Sequence, residues 1–327
     1  MSDSTELKED IDDLTELQKI VILLLTCEEK HYSSELAKFF TLFEEKSISS
    51  NFTHYKGFLY LLTRLSIYFN VNNEKRQFIF LDILKVLILK YSLGETFQQS
   101  DLFSIFKYNK HFILFLYKEE ILDISFIETK ISLGNDMHFF LFFIPEIQRI
   151  NPQLYEMQKK NFGLTEEQID ILYNRNTGNN QCLLEDRKNI REFWHSNEIM
   201  AQIIRKDDLD SFIHLIAQNK GYFLNSNIKP SFLENNTKIN NWCGISLLEY
   251  SMAFASIKIF RYLWLKKARY SQISIKYSII GGNYEIIHIL DEESKYKFNE
   301  ECYSISIHYC RQEISEYLLN YFENKQF

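Results

Sequence analysis

An all-α protein is predicted by three features of the sequence. Apolar residues recur at the i, i+3, i+4 spacing of a helix face along most of the 327-residue chain. Only three prolines and nine glycines occur, too few to interrupt helices often or to build a series of hairpins. The last third repeats a unit of two short helices joined by a tight turn, which is the pattern of a solenoid. With 46% hydrophobic and 16% aromatic residues, the chain has ample material for a core and is excluded from the disordered class.

Taken in order, residues 1–10 are polar and expected to fray. From Ile11 the positions Leu14, Leu17, Val21, Leu24 and Leu25 keep helical spacing to about Cys27. Ser33 or Ser34 caps a second helix with Leu36, Phe39, Phe40 and Phe43 on one face. A third helix is expected over 52–68. A fourth runs over 74–91, stops before Gly94, and is apolar on more than one side, so it belongs between neighbours.

Beyond Ser100 the units shorten, to 101–108, 111–118, 124–131 and 136–143. Pro145 suits the first position of a further helix, and Asn151-Pro152 forces a break. Thr165 with Gln168 reads as a capping box, and Leu164 with Ile169 as a hydrophobic staple. The stretch NRNTGNN, 174–180, is the expected hinge between a helical N-terminal domain, 1–180, and a repeat region, 181–327. Because the shortened units share the grammar of the repeats, the stack begins either near residue 100 or only after this hinge.

The repeat is clearest in IKYSIIGGNYEIIHIL, 275–290. There Gly281-Gly282 separates two short helices, and Ile286, Ile287 and Leu290 mark one buried face. Moved back by 27 residues, Tyr250, Ser251, Ala255, Ile259, Phe260 and Leu263 fall under Tyr277, Ser278, Gly282, Ile286, Ile287 and Leu290. Moved forward by 28, Ile305, Ser306, Cys310, Ile314 and Leu318 come into register. A weaker copy places Asp208, Leu209, Phe212 and Leu215 under Asn283, Tyr284, Ile287 and Leu290. Between the weak copy and the next lies an Asn-rich insertion, 219–244, holding Pro230 and Trp242 and expected to project from one edge.

These residues resemble the ankyrin repeat. Ser246-Leu247-Leu248-Glu249 stands where that family has T-P-L-H, and Gly282-Asn283-Tyr284-Glu285-Ile286-Ile287 stands under G-H-L-E-I-V. The family's Pro and His are absent, its paired alanines are Ser251-Met252 and Ser278-Ile279 here, and the period is shorter. The resemblance covers roughly 195–327. It implies an ankyrin-like α-solenoid with short or absent β-fingers, closed by a cap over 313–322, and is similar to a group of uncharacterised, protist-type ankyrin proteins with a helical N-terminal region. In such a fold the first helix of each pair lines the concave side, which would place Tyr250, Phe254, Tyr277, Ile280, His308 and Tyr309 there as protein-binding residues. Tyr250, Tyr277 and Ile280 read equally as core between pairs, whereas Phe254 and Tyr309 are expected to be exposed.

Formal charge is −7, from 37 basic and 44 acidic side chains. A net acidic chain without a basic stripe argues against nucleic acid as a partner. The local exception, Arg261, Lys266, Lys267 and Arg269, reads as a solvated helix C-terminus complementing the macrodipole, or alternatively as an anion site. Five cysteines without a CxxC, behind an acidic N-terminus unlike a secretory or transit peptide, suggest reduced thiols in an intracellular, cytoplasmic protein. No apolar run approaches the ~20 residues that span a bilayer, so no membrane span is expected.

The sequence carries no P-loop, GxGxxG, HExxH or nucleophile elbow. Cys302, His308 and Cys310 have no usual zinc spacing, and Cys310 takes the small-residue position held by Gly282, so packed thiols are the reading and no metal or cofactor is expected. Asp207, Asp208 and Asp210 precede a helix, where carboxylates are favoured. Lone histidines among aromatics provide no catalytic set. The expectation is a non-enzymatic protein-binding adaptor. Two other classes stay open: an enzyme with its catalytic groups in the N-terminal domain and the repeats as a targeting arm, or a structural protein self-associating through helices such as 139–143.

Overall fold

Because few residues break helices, nearly all regular structure in the computed structural model is helical. It describes residues 2–69, 74–173, 184–218 and 223–323. The predicted hinge 174–180 lies outside the described residues. Chain contacts form two compact units, one of 1–66 with 74–126 and one of 67–73 with 127–327. The division therefore falls inside a helix near residue 126 rather than at the expected 180. The short helices just after residue 100 belong to the first unit, apart from the repeats.

The first unit contains α1 (Ser2–Thr26), α2 (Tyr32–Glu45), α3 (Phe52–Tyr68, to its last turn), α4 (Phe78–Lys90), the single turn α5 (Leu93–Thr96), α6 (Gln99–Phe106) and α7 (Lys110–Lys118). Helix α1 starts well before the predicted Ile11. Phe43 forms a hub, with ring centroids 6.1 Å from Phe39, 5.9 Å from Tyr55, 5.3 Å from Phe58 and 4.9 Å from Tyr91. Helix α4 is ended by Ser92 in the left-handed conformation, φ 47°. Gly94 sits inside the next turn, where a Cβ would press on Ile121 at 2.9 Å.

The second unit opens with α8 (Ile124–Leu133, which straddles the division), α9 (Met137–Ile150), α10 (Pro152–Asn161), α11 (Glu166–Tyr173) and α12 (Leu184–Asn189). Pro145 lies within α9 rather than starting a helix. It has no N–H for the carbonyl of Leu141 four residues earlier, and the hydroxyl of Tyr173 supplies that hydrogen bond instead. Three other tertiary bonds hold the same region, as the buried Arg191 donates to both carboxylate oxygens of Glu146, at 2.6 and 2.9 Å, and to the carbonyl of Phe142 at 3.2 Å. The phenylalanines of α9, Phe139, Phe140, Phe142 and Phe143, are all buried. They pack inside this unit, which removes them as a self-association surface. The box at Thr165 forms as read, with Gln168 N–H donating to the Thr165 hydroxyl and Thr165 N–H to the Gln168 side chain.

Four helix pairs follow: α13 (Ile199–Arg205) with α14 (Leu209–Ala217), α15 (Leu247–Ala253) with α16 (Ile257–Leu265), α17 (Lys276–Gly281) with α18 (Tyr284–Glu293), and α19 (Glu300–His308) with α20 (Gln312–Glu323). The first helices α13, α15, α17 and α19 touch one another in that order, and so do α14, α16 and α18. Among the described residues the only strands are β1 (Asn227–Ile228) and β2 (Ile245–Ser246), antiparallel, at the base of the insertion.

The register read from the sequence is physical. The residue between the helices of each pair, Asp207, Ala255, Gly282 and Cys310, has φ of 51°, 56°, 74° and 55°. A left-handed residue ends one helix and aims the chain back along the next. Ser251, Ser278 and Ser306 are wholly buried, and each hydroxyl bonds the carbonyl three residues earlier at 2.7 Å. A hydroxyl satisfied within its own helix costs little to bury and keeps the first helices close.

Neighbouring pairs are also tied by polar bonds. Asp207 accepts from the N–H groups of Lys258 and Ile259, so it caps α16 from the preceding pair while the N-cap Ser256 turns to the carbonyl of Ile204. Glu249 completes the capping box of α15 and accepts from Ser274 of the next pair at 2.7 Å. Arg311 bonds the carbonyls of Ile280 and Gly281, both at 3.1 Å, with its guanidinium 4.4 Å from the Phe69 ring. Burial pushes this arginine down to about 10, still charged at neutral pH.

Gly281 and Gly282 do different jobs. Gly282 supplies the left-handed turn, whereas a Cβ on Gly281 would collide with the carbonyl oxygen of Met252 in α15. Gly281→Ala is expected to destabilise the fold by about 3 kcal/mol, the range of a severe overpacking, measured by denaturant unfolding. Tyr173→Phe, which orphans the Leu141 carbonyl, is expected to cost about 1–3 kcal/mol in the same measurement.

Candidate functional site

The six residues expected to line an open groove are not displayed. Phe254, Ile280 and Tyr309 are wholly buried, and Tyr250 and Tyr277 nearly so. His308 is half-buried, with its ring 4.1 Å from that of Tyr68. The reading of Tyr250, Tyr277 and Ile280 as core is the one that holds, and the exposure expected of Phe254 and Tyr309 is overturned. Aromatic side chains this large gain about 1.5–3 kcal/mol by leaving water, and the chain supplies its own cover for them.

That cover is the insertion, which folds back rather than projecting. Phe232, Leu233, Asn236 and Ile239 are buried. Asn236 accepts the Tyr309 hydroxyl at 2.9 Å, and the carbonyl of Lys238 accepts that of Tyr277 at 3.3 Å. Glu234 meets the His195 ring at 2.7 Å, and that ring stands edge-on to Phe254 at 4.9 Å. Phe254 lies 4.6 Å from Tyr250, whose hydroxyl accepts from the buried Arg205 at 2.7 Å.

Burying an irregular loop requires partners for its backbone, and the Ser- and Asn-rich composition provides them. Asn240 exchanges two bonds with the Ser231 backbone, at 2.8 and 2.9 Å, while Glu234 accepts from Asn236 N–H and Asn236 from Lys238 N–H, both at 3.0 Å. Asn-rich composition signals a loop in sequence. It does not say whether the loop satisfies itself against solvent or against the protein.

With the first helices covered, the accessible features of the pairs lie along the second helices. At the C-terminal ends of α16 and α18 a cleft of about 480 Å³ is lined by Trp264, Leu265, Lys267, Ala268, Tyr270, Glu293 and Lys295. The Trp264 ring packs on Phe260 at 5.7 Å and on Tyr270 at 5.0 Å, and its indole N–H donates to Glu293 at 2.7 Å. Leu265 is 79% exposed. Helix α16 buries Ile259, Phe260 and Leu263, and at 3.6 residues per turn Leu265 falls on the opposite side. An apolar residue out of phase with its own helix was the signal in the sequence that periodicity alone passed over.

The basic cluster separates in space. Arg261, in the middle of α16 rather than at its end, pairs with Glu285 of the next pair. Lys266, Lys267 and Arg269 are exposed, and Lys267 lines the cleft. The acidic groups at the end of α18 are engaged elsewhere, Asp291 by the Tyr317 hydroxyl at 3.0 Å and Glu292 by His288 at 3.4 Å.

Two smaller surface features remain. A groove of about 190 Å³ between α18 and α20 is lined by Tyr284, Ile287, His288, Ile314 and Tyr317. Trp242, 78% exposed, lies across His138 at 5.7 Å beside Asp136, whose carboxylate caps α9. Among the described residues no three His, Cys, Asp or Glu side chains are arranged to hold a metal ion. Cys302 is buried, which pushes its thiol up, and Cys310 occupies a turn. Asp208 caps α14 through Ser211, and those hydrogen bonds hold its carboxyl below the usual range. Among the described residues no helix is long and apolar enough to cross a membrane.

Burial raises Tyr277 to about 12 and Tyr309 higher still. The unfolded chain ionises these phenols near pH 10 while the folded chain keeps them neutral, so their contribution is intact below pH 10 and is lost as pH rises through the folded values. Alkaline unfolding followed by phenolate absorbance is expected to begin above pH 10, and Tyr277→Phe with Tyr309→Phe to move the midpoint to higher pH. Comparison with known proteins gives no match: no protein-family model, curated protein or solved structure corresponds to this chain.

Proposed function

We propose that this protein is a non-enzymatic protein-binding scaffold whose four helix pairs form a degenerate ankyrin-type solenoid with a single stubby finger. The ordered contacts of alternate helices, the left-handed residue at each turn and the buried serine in three of the first helices support the solenoid reading. The surface differs from the one the resemblance implies. Because the insertion covers the first helices, partners dock on the second helices, at the cleft built by Trp264, Leu265 and Tyr270. Leu265 carries this reading: a 79% exposed leucine beside an indole and a phenol is the kind of anchor around which protein interfaces form.

Leu265→Asp tests it without disturbing the core. The change is expected to leave stability within about 0.5 kcal/mol, as for an exposed position. It should also remove the partners that the full-length wild-type protein captures from an extract of its own cells, quantified by mass spectrometry. Identical partner sets for a folded Leu265→Asp variant would sink the docking surface.

A further inference from the structure

We propose that the cleft between the ends of α16 and α18 takes an acidic peptide segment of a partner protein, with one bulky apolar side chain seated against Trp264, Leu265 and Tyr270. This rests on the scaffold reading above and specifies the chemistry of its partner. The apolar part follows from the walls: Trp264, Tyr270, Ala268 and the exposed Leu265 frame an open space of about 480 Å³, large enough for one or two side chains and lacking any of the chain's own.

The charge follows from an imbalance of partners. Lys267 and Lys295 line the cleft, Lys266 and Arg269 are exposed next to its lining residues along the chain, and among the described residues none of the four lies within ion-pair distance of a carboxylate. Lys266 and Lys295 instead rest over the rings of Tyr262 and Tyr296, at 5.7 and 4.8 Å. The carboxylate within the cleft, Glu293, accepts the Trp264 N–H. The two lysines that line the cleft outnumber its one carboxylate, Glu293, and with Lys266 and Arg269 beside them in the chain they leave a local excess of positive charge on a chain of net charge −7, in which an acidic segment is attracted and oriented. Nucleic acid fits less well, since the Trp264 ring already stacks on Phe260 at 24° between planes and the rest of the chain repels a phosphate backbone.

Fluorescence anisotropy of a fluorescein-labelled peptide, a Leu-Phe pair flanked on each side by glutamates, titrated with the full-length protein at low salt, tests the proposal. Saturable binding is expected, weakening as salt rises. Lys267→Glu with Lys295→Glu should weaken it about tenfold, equivalent to about 1.4 kcal/mol, and Leu265→Asp or a Ser-Ser core in the peptide should weaken it comparably.

Equal binding by the charge-reversed protein, or by the Ser-Ser peptide, overturns the assignment. So does co-sedimentation with phosphatidylserine vesicles, abolished by the same lysine changes, when the peptide fails to bind. If the peptide fails but Leu265→Asp still strips partners from the full-length protein, the acidic-peptide assignment falls and the scaffold reading stands. If Leu265→Asp strips nothing, the docking surface itself falls.

Discussion

A helix of six to ten residues is not stable in water, because nucleation costs more than two turns of hydrogen bonds return. Every helix from α13 to α19 is of this size, so each exists only because its apolar stripe is covered by the pairs on either side. This dependence explains the small devices that recur at each joint. The left-handed residue sets the angle within a pair, the buried serine allows the first helices to approach, and Asp207, Glu249 and Arg311 carry hydrogen bonds from one pair to the next. None of these is large alone. Together they fix the distance at which Ile and Leu side chains interdigitate, and interior packing is sensitive to a single methylene.

The same dependence has a consequence at the first helices, whose other side presents Tyr250, Tyr277 and Tyr309. An open row of such side chains would leave a large apolar area in water. The insertion resolves this by lying across them, with Asn236 and the backbone at Lys238 meeting the two phenols. A polar loop suits that task because it arrives with its own acceptors and donors, so that the tyrosine hydroxyls and the loop backbone are satisfied together. A surface that in an open stack would face a partner becomes interior.

What remains outside is therefore defined by exclusion from the core. Leu265 cannot reach the stripe of α16, and Lys267, two residues on, lines the cleft together with Glu293 of α18. The apolar and cationic characters of the cleft both arise where the helix ends and its period stops constraining side-chain direction. Side chains at such a joint can vary without disturbing the stack, whereas the tyrosines beneath the insertion cannot.

The sequence by itself determined the helical class, the position of nearly every helix and the register of the pairs, down to Gly282 standing with Ala255 and Cys310. These are local properties: the period of apolar residues, capping side chains such as Thr165 with Gln168, and residues tolerant of a left-handed turn. It could not place Pro145 inside α9, since the compensating hydroxyl of Tyr173 comes from 28 residues away along the chain. Nor could it show that residues 127–173 belong with the repeats, or that Phe254 and Tyr309 lie beneath the insertion. Whether an aromatic side chain is buried or displayed depends on what a distant segment does with its own polar groups, and only the tertiary structure brings the two together.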